Sequence, residues 1–495
     1  MIHDESAPAG TGPERPAPEP AFLNEVFDGD GPARAHYTPL FDALGAMEDG
    51  EFAGRISRAN GRLRDMGATF VLPDDPDDAG RIFPVDWIPR IIPADHWQTL
   101  SAGLSQRGRA INAWLREVYG GHQDVVPDEI VRDSVFYKPH VFPGEAPVHV
   151  YGPDVVQVEP GEYVVLEDNA RVPSGIAYSD VIRRVGMEVL PDLFEVYRLA
   201  EIFSYYSRLR ETLLASAPPG VEEPHVAVVT RGGRDPAFFE HERIARSCGL
   251  PLLTLSDCFV KGGEVRTRPD GRRLDAMYRR FDEDYVDTDL PEMKEVYLNG
   301  KIGFVNAFGA GVADDKAVFP FVPAMIENHL GEKPILQNAP TYSLVEEETR
   351  AEVLDRLSEL VLKPREGYGA QGMLIGPEAT REDLDDAIRQ IKQNPANFVA
   401  QECLDFSTHI THDGRDGPRE AFVDLRAFVL PALDHVMPGG LTRVARPGTR
   451  VVNSSAGGSS KDTWVLEYPD RQRRDAGVRV RDGVVGLPKT RSRRS

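Results

Sequence analysis

Two carboxylates and one amide in the first half of the chain have the spacing of ligands for a divalent metal ion. Asp154 lies thirteen residues before Glu167, and Asn169 follows Glu167 by two. The run YVVL directly before Glu167 is β-branched, aromatic and apolar, which predicts a buried strand. Side chains alternate along a strand, so Glu167 and Asn169 share one face, which Asp154 can join from a neighbouring strand. Such hard oxygen ligands suit Mg²⁺, which keeps waters and nucleotide phosphates as its other ligands.

A lysine and a glycine-rich segment farther along the chain could serve those phosphates. Leu360–Lys363 predicts a short strand that ends in a lysine, and residues 367–372 read GYGAQG. This hexapeptide fits G-x-G-x-x-G, but the helix that a dinucleotide site requires does not follow it. A glycine-rich loop between two strands is typical of a flap whose N–H groups approach phosphate oxygens. Lys363 could meet the α- and β-phosphates, and no G-x-x-x-x-G-K-[ST] sequence occurs, which excludes a P-loop.

Two later strands and a loop carry further candidate groups. Gln401 and Glu402 end a strand where an adenine edge and a ribose could bind. Arg426 shares a strand face with Asp424 and could contact a transferring phosphoryl group. The small-residue loop that follows offers N–H and hydroxyl donors suited to an oxyanion or a carboxylate, with the candidates Asn453, Ser455, Gly457, Gly458 and Ser459.

Each of these features has a plainer interpretation when it is taken alone. Two close carboxylates with an asparagine could cap a turn, and a glycine-rich hairpin is commonly an ordinary tight turn. Arg443 and Arg446 could be surface charges or phosphate contacts. The presence of Lys363 and the flap in the same chain favours a metal–nucleotide site over a capped turn.

The order of the segments resembles circularly permuted ATP-grasp proteins of type 2. The stretches LEDNARVPSG, GVADDKAVFPFVP, VLKPREGYGAQG and VVNSSAGGSSKDTWV resemble that family closely. In ordinary ATP-grasp ligases the lysine and the flap come first and the Glu-x-Asn metal stretch comes last, whereas here that stretch stands near the front. The resemblance extends from about Phe22 to Glu467.

The resemblance implies a fold, two cofactors and a set of site residues. The fold is of the α/β (α+β) class: a circularly permuted ATP-grasp fold with an additional α/β pre-ATP-grasp-like domain. The cofactors are ATP and Mg²⁺, with the metal held by Asp154, Glu167 and Asn169. The implied nucleotide contacts are Lys316, Lys363, the flap residues Gly367, Tyr368, Gly369, Gln371 and Gly372, and Gln401 with Glu402. Arg231 and Arg234, in the α/β domain, are implied carboxylate contacts.

Composition excludes several other classes of protein. A net charge of −22 argues against a general nucleic-acid binder. No apolar run is long enough to span a bilayer, so we expect no membrane partner. The three cysteines make neither a disulfide framework nor a zinc site, and no signal peptide is visible. These features predict a cytoplasmic protein.

Changes in composition predict the domain organisation. Ala217–Gly220 (APPG) marks a boundary, and an alternation of strands and helices begins after it. We expect one helix from Ala94 to Tyr119 and another from about Leu193 to Leu214. The predicted parts are a disordered N-terminus (1–20), a region carrying the metal stretch (21–216), an α/β substrate domain (221–313), an ATP-binding core (314–470) and a basic mobile tail (471–495).

The expected activity is that of an ATP-dependent carboxylate–amine ligase. Such an enzyme forms an acylphosphate and releases ADP and phosphate, and Arg426, Lys363, Asn453 and Arg446 are the catalytic candidates. The expected partners are a small carboxylate and an amine, with an amino acid or a small peptide as the expected class. The alternatives are a kinase of a small molecule or protein, which needs no amine, and a nucleotide-binding scaffold without turnover. The sequence leaves the oligomeric state open.

Overall fold

The computed structural model describes residues 22–29, 31–69, 82–138, 148–367, 372–412, 418–452 and 458–468. Several of the predictions lie outside these residues. They concern the N-terminus (1–20), the basic tail (471–495), and Tyr368, Gly369, Gln371, Asn453, Ser455 and Gly457.

The described residues form α-helices and β-strands that alternate along most of the chain. The helices are α1 (Thr38–Gly45), α2 (Glu51–Asp65), α3 (Ala94–Gly120), α4 (Asp128–Arg132), α5 (Ile176–Val189), α6 (Pro191–Glu195), α7 (Tyr205–Ala215), α8 (Phe238–Cys248), α9 (Asp284–Asp289), α10 (Glu292–Leu298), α11 (Val322–Leu330), α12 (Glu347–Asp355) and α13 (Arg381–Gln393). The strands are β1 (Val85–Ile92), β2 (Asp154–Glu159), β3 (Glu162–Glu167), β4 (Val226–Thr230), β5 (Leu252–Thr254), β6 (Cys258–Lys261), β7 (Glu264–Thr267), β8 (Ala276–Arg279), β9 (Gly303–Val305), β10 (Gln337–Asn338), β11 (Thr341–Ser343), β12 (Leu360–Pro364), β13 (Leu374–Ile375), β14 (Phe398–Glu402), β15 (Thr408–Thr411), β16 (Arg419–Arg426), β17 (Val429–Leu430), β18 (His435–Val436), β19 (Leu441–Val444) and β20 (Ser459–Val465).

A large mixed sheet joins strands from both ends of the chain. Its order is β1-β20-β19-β16-β2-β3-β10, and β15 also pairs with β16. The β1–β20 and β3–β10 pairs are parallel, and the pairs between β20 and β3 are antiparallel. The predicted N-terminal region and the predicted ATP-binding core therefore share one sheet. The domain boundaries inferred from the sequence stay a prediction.

Two smaller sheets complete the part that positions the site. The antiparallel sheet β11-β14-β12-β13 carries the glycine-rich segment between β12 and β13. The parallel sheet β5-β4-β8-β9 packs with α8 and forms an α/β unit, which agrees with the alternation of strands and helices expected after Gly220.

Helix α3 confirms the prediction of a helix from Ala94 to Tyr119. Its apolar positions recur at helical spacing and are buried, among them Leu104, Ile111 and Trp114. The helix ends before Gly121, whose φ of 78° is the left-handed conformation that glycine adopts without a steric penalty. Helix α3 packs on α11, and its buried apolar residues belong to the same core cluster as residues of β2, β3 and β16 in the large sheet.

The prediction of one helix over Leu193–Leu214 is wrong. The chain forms the short helix α6, then an extended segment, then α7. In the extended segment Leu199 forms a bridge with Leu466, and the Ala200 amide donates to the Val465 carbonyl. Pairing with the end of β20 satisfies backbone groups that a helix would have satisfied internally. Arg450–Val452, before the small-residue loop, forms no strand, and the Arg450 amide donates to the Glu378 carboxylate.

The described part of the chain contains no helix with both the length and the apolar character needed to cross a membrane.

Candidate active site

One cavity of about 580 Å³ collects most of the predicted site residues. It lies between the large sheet, the β11–β14 sheet and the start of α5, and the segment before α8 closes one side. The Lys363 ammonium on β12 donates to the Leu166 carbonyl on β3 at 3.4 Å, which joins the two sheets. The predicted residues in its wall are Asp154, Glu167, Asn169, Lys316, Lys363, Gly367, Gln401, Glu402 and Arg426.

A row of directly paired residues crosses the large sheet along the floor of the cavity. Glu167 on β3 is opposite Asp154 on β2, Asp154 is opposite Arg426 on β16, and Arg426 is opposite Leu441 on β19. Directly paired residues share a face, and neighbouring strands lie about 4.8 Å apart. The row therefore leads from the β11–β14 sheet, at Glu167, towards α5, at Leu441.

Alternation at the end of β3 places Glu167 and Asn169 on the cavity side. Asp168, between them, is buried on the opposite side, where the Arg107 guanidinium donates to both of its oxygens at 2.7 Å. The Asn169 amide nitrogen donates to the Gly152 carbonyl at 2.9 Å, so its oxygen is left for the cavity. Glu167 makes no hydrogen bond or ion pair with any residue that the structure describes.

Asp154 differs from Glu167 because two arginines already contact it. Arg426 donates to both oxygens of Asp154, at 2.7 and 2.6 Å, and Arg443 lies 2.8 Å from one of them. Burial opposes ionisation of Asp154, but the two guanidinium groups outweigh it and lower its pKa to about 2. Asp154 is therefore an anion at physiological pH.

The donor set fits Mg²⁺ when it is completed by other ligands. In the described residues no group of three or more histidine, cysteine, aspartate or glutamate side chains could hold a metal by itself. Mg²⁺ is commonly bound by one or two carboxylates, with phosphates and waters filling the octahedron. Glu167 and the Asn169 side-chain oxygen are available for this, whereas Arg426 and Arg443 occupy Asp154.

Arg443 is a cavity residue that the sequence analysis left unassigned. It forms a two-point contact with Asp424, in which Nε donates at 2.9 Å and Nη2 makes a shorter bond. Asp424 and Arg443 are directly opposite on β16 and β19, which explains the contact. Arg443 follows Asp424 by 19 residues in the chain, so only the pairing of β16 with β19 could have identified Arg443 as a partner of Asp424.

Lys363 is a buried cation with few partners. Its ammonium donates to the Gln401 side-chain oxygen at 2.7 Å, and the Gln401 amide donates to the Thr341 hydroxyl at 2.8 Å. Burial lowers the pKa of Lys363 to about 8; Glu167 opposes this shift, and Lys316 adds to it. No carboxylate of the described residues forms a hydrogen bond or ion pair with Lys363, so an incoming phosphate would meet an ammonium group without a direct counter-ion there.

Lys316 reaches the cavity from a segment that packs against the base of the flap. Its ammonium donates to the Gly367 carbonyl at 2.5 Å. The neighbouring Asp315 forms a buried ion pair with Arg365, at 2.7 Å, which fixes this segment to the end of β12. Asp314, also in the cavity wall, accepts from the Arg171 backbone and side chain and so connects the Lys316 segment to the chain after Asn169.

The end of the cavity beside β14 is apolar. Glu402 is already engaged, because its carboxylate accepts from the Tyr342 hydroxyl at 2.7 Å and from Arg356 at 3.2 Å. Gln401 and Glu402 therefore line the cavity with side chains that are already hydrogen-bonded to protein groups. The apolar side chains at this end belong to Leu166, Ile375, Leu404, Phe406 and Val452.

Six predicted residues of the described chain stand outside the cavity wall. Arg231 is exposed and stacks on Tyr285, with its guanidinium carbon 4.2 Å from the ring centroid. Arg234 and Arg446 are exposed, and Gly458, Ser459 and Gly372 also do not line the cavity. The α/β unit instead reaches the cavity through the segment before α8.

A buried ion pair attaches the α/β unit to the cavity wall. The Glu240 carboxylate on α8 accepts from the Gly175 amide at 2.7 Å and from Arg280 at 3.0 Å, and both side chains have no exposed surface. Arg280 also donates to the Pro173 carbonyl and the Ser174 hydroxyl. Ser174 and Gly175 line the cavity, so this pair fixes the wall at the start of α5.

Replacing Arg280 with methionine is expected to lower the free energy of unfolding by about 3–5 kcal/mol, because it leaves the buried Glu240 carboxylate without its counter-ion. Urea denaturation measures this loss. The matched control is Arg246→Met, which breaks the exposed Arg246–Glu242 pair on α8 and should leave the unfolding free energy nearly unchanged. Equal effects of the two substitutions would contradict a supporting role for Arg280.

Comparison with known proteins identifies the family. The model of the circularly permuted ATP-grasp type 2 family matches residues 89–445. The chain belongs to this family, and its mixed α/β structure is that of the family's fold. An uncharacterized protein of Synechocystis is 41% identical over 468 residues, which cover 90% of this chain and 97% of that protein.

Two further similarities concern proteins with more informative names. A Frankia casuarinae protein named "Putative glutamate--cysteine ligase 2-2" is 38% identical over 488 residues, which cover 93% of this chain but 56% of that protein. The chain thus spans little more than half the length of that relative. A glutathione synthetase-like effector from Globodera pallida has a similar structure, with a TM-score of 0.54, 12% identity, and coverage of 85% of this chain and 98% of the effector. At this identity the similarity concerns the fold alone.

Proposed function

We propose that this protein is an ATP-dependent carboxylate–amine ligase that works through an acylphosphate and releases ADP and phosphate. The observation that carries the proposal is the row Glu167, Asp154 and Arg426, which begins beside Lys363 and crosses one cavity. The row combines metal-type oxygens with a guanidinium in the order that phosphoryl transfer from ATP to an acid requires. Membership of the ATP-grasp family and the ligase name of the Frankia relative support it.

ATP would lie with its base at the apolar end of the cavity and its phosphates over the row. Lys363 and Lys316 would contact the phosphates as point charges, and the flap from Gly367 to Gly372 would cover them. Glu167, Asn169 and Asp154 would hold Mg²⁺, which neutralises charge on the phosphate oxygens when bound. Closure of the flap would exclude water, which would otherwise hydrolyse an acylphosphate.

The chemistry would proceed in two displacements. A carboxylate oxygen of the substrate attacks the γ-phosphorus, forming an acylphosphate while the bond to the ADP oxygen breaks. Arg426 would stabilise the charge on the transferring group. The amine then attacks the acyl carbon, phosphate leaves, and the nitrogen loses a proton, which yields an amide. Asn453, Arg446 and the loop residues Ser455, Gly457, Gly458 and Ser459 stay candidates for the second step.

The proposed substrates are an amino acid or short peptide as acid and an amine of similar size. The ligase name of the Frankia relative supports this class. Arg231 stays a candidate contact for an acceptor carboxylate at the edge of the α/β unit. We place the reaction in the cytoplasm, because Cys248, Cys258 and Cys403 all carry free thiols.

The test is ADP release by the purified protein with Mg²⁺, ATP and hydroxylamine across a panel of amino acids, short peptides and organic acids. Hydroxylamine converts an acylphosphate to a hydroxamate. We expect ADP and hydroxamate together, with one acid or a small group of acids. ADP without hydroxamate would indicate a kinase or an ATPase, and ATP binding without ADP would indicate a scaffold; either result would contradict the proposal.

A further inference from the structure

The two carboxylates of the proposed metal site are in different states. Glu167 is free of protein partners in the described chain, whereas both oxygens of Asp154 accept from Arg426 and one also contacts Arg443. A carboxylate has about four acceptor positions, and Asp154 uses three of them on two cations. A dication at Asp154 would lie against both guanidinium groups, and the repulsion between like charges is strong in a buried site.

The two arginines are not held equally. Arg443 is anchored by its two-point contact with Asp424 and would keep this contact if it lost Asp154. Among the described residues, Asp154 is the ion-pair partner of Arg426. The Arg426 side chain keeps 17% of its surface exposed and lines the cavity, so it has space to turn away from Asp154. Arg426 is therefore the group that can leave.

We propose that Asp154 exchanges Arg426 for the metal ion, and that the guanidinium released in this way becomes the binding group for the transferred phosphoryl group and the substrate acid. This inference rests on the proposed function and adds an order of binding. Before the metal–nucleotide complex is present, Asp154 neutralises Arg426, so the acid finds no free cation in the row. Once Asp154 ligates the metal, the two-point donor geometry of Arg426 is available to an anion.

The experiment measures binding of inorganic phosphate to the protein saturated with ADP, without Mg²⁺, by titration calorimetry. Asp154→Asn releases Arg426 without any metal, so phosphate should bind at least about tenfold more tightly than to the unmodified protein. Glu167→Gln is the matched control, because it removes the same charge from the neighbouring position of the row but releases no arginine. Its phosphate affinity should stay within about threefold of the unmodified protein.

Each result decides the matter. A gain confined to Asp154→Asn, and lost again in the double variant Asp154→Asn/Arg426→Met, supports the exchange. No gain in phosphate affinity in Asp154→Asn overturns it, because the released Arg426 would then not bind the anion. An equal gain in Glu167→Gln also overturns it, because loss of one negative charge would then explain the tighter binding without any release of Arg426. The readout involves no turnover, so failure of the exchange is distinct from failure of the ligase proposal, which the hydroxamate assay decides.

A second variant keeps the test independent of the folding of Asp154→Asn. Arg426→Met removes the competitor of the metal, so Mg²⁺ should bind the ADP complex about tenfold more tightly than in the unmodified protein. Arg450→Met is the control, because Arg450 also lines the cavity but pairs with Asp405 rather than with a proposed metal ligand. Unchanged or weaker Mg²⁺ binding in Arg426→Met, or an equal gain in Arg450→Met, would refute the exchange.

Discussion

Replacing Glu167 with glutamine is expected to slow ADP formation by about a thousandfold while leaving the fold intact. A metal ion that neutralises phosphoryl charge supplies several kcal/mol to the transition state, and about 1.4 kcal/mol corresponds to a factor of ten in rate. Glu167 makes no hydrogen bond or ion pair with the described residues, so the substitution removes no such contact from that part of the fold. The rate of ADP formation and the midpoint of thermal unfolding measure the two parts of this prediction.

The control for Glu167→Gln is Glu162→Gln at the other end of β3. Glu162 is exposed and lies away from the cavity, so Glu162→Gln makes the same chemical change on the same strand without touching the site. It should leave both the rate and the unfolding midpoint near those of the unmodified protein. Unimpaired turnover in Glu167→Gln would exclude this residue from the metal site, and a large fall in its unfolding midpoint would show a structural role instead.

The sequence predicted which side chains share a face at the end of a strand, but it did not predict which strands lie next to each other in the sheet. The apolar run before Glu167 and the alternation after it placed Glu167 and Asn169 on one side of β3, as the structure has them. Both facts depend on local periodicity. The strands that carry the rest of the row come from distant parts of the chain, however. Local periodicity therefore could not predict that β16 pairs with β2.

Long-range pairing also explains what the sequence analysis missed at the site. Nothing near Asp154 in the sequence indicates that Arg426 and Arg443 would occupy its oxygens, because those arginines arrive on β16 and β19. The helix predicted over Leu193–Leu214 was wrong because part of that segment pairs with the end of β20, which is also distant in the sequence. The family resemblance implied that Arg231 contacts a carboxylate, yet Arg231 stacks on Tyr285 and does not line the cavity.

Binding of ADP to this protein is expected to weaken by about tenfold between pH 7.5 and pH 9.5, because Lys363 loses its charge in that range. Burial lowers the pKa of Lys363 from the usual 10.5 to about 8. Below pH 8 the ammonium attracts the phosphates, and above it binding must take up a proton, which weakens affinity by at most tenfold per pH unit. Titration calorimetry in buffers of different ionisation enthalpy measures both the affinity and the proton uptake.

Two substitutions of Lys363 distinguish the effect of its charge on ADP binding from the effects of other groups in the cavity. Lys363→Arg stays charged throughout this range, so its ADP affinity should be nearly independent of pH. Lys363→Met should bind ADP weakly at every pH and lower the rate of ADP formation by about two to three orders of magnitude. A pH dependence in Lys363→Arg as steep as that of the unmodified protein would assign the titration to another group.

The same lowered pKa of Lys363 predicts that the stability of the folded protein rises with pH, whereas the affinity for ADP falls. Between pH 8 and 10.5 the unfolded chain binds a proton at Lys363 that the folded protein does not, so the unfolding free energy of the unmodified protein rises with pH in this window. The full effect is on the order of 3 kcal/mol, since one pKa unit corresponds to about 1.4 kcal/mol. Lys363→Met lacks this term, so its stability relative to the unmodified protein should be highest below pH 8 and should decline towards pH 10.5. A relative stability that does not change with pH would show that the folded protein keeps Lys363 protonated, and the predicted weakening of ADP binding would then fail with it.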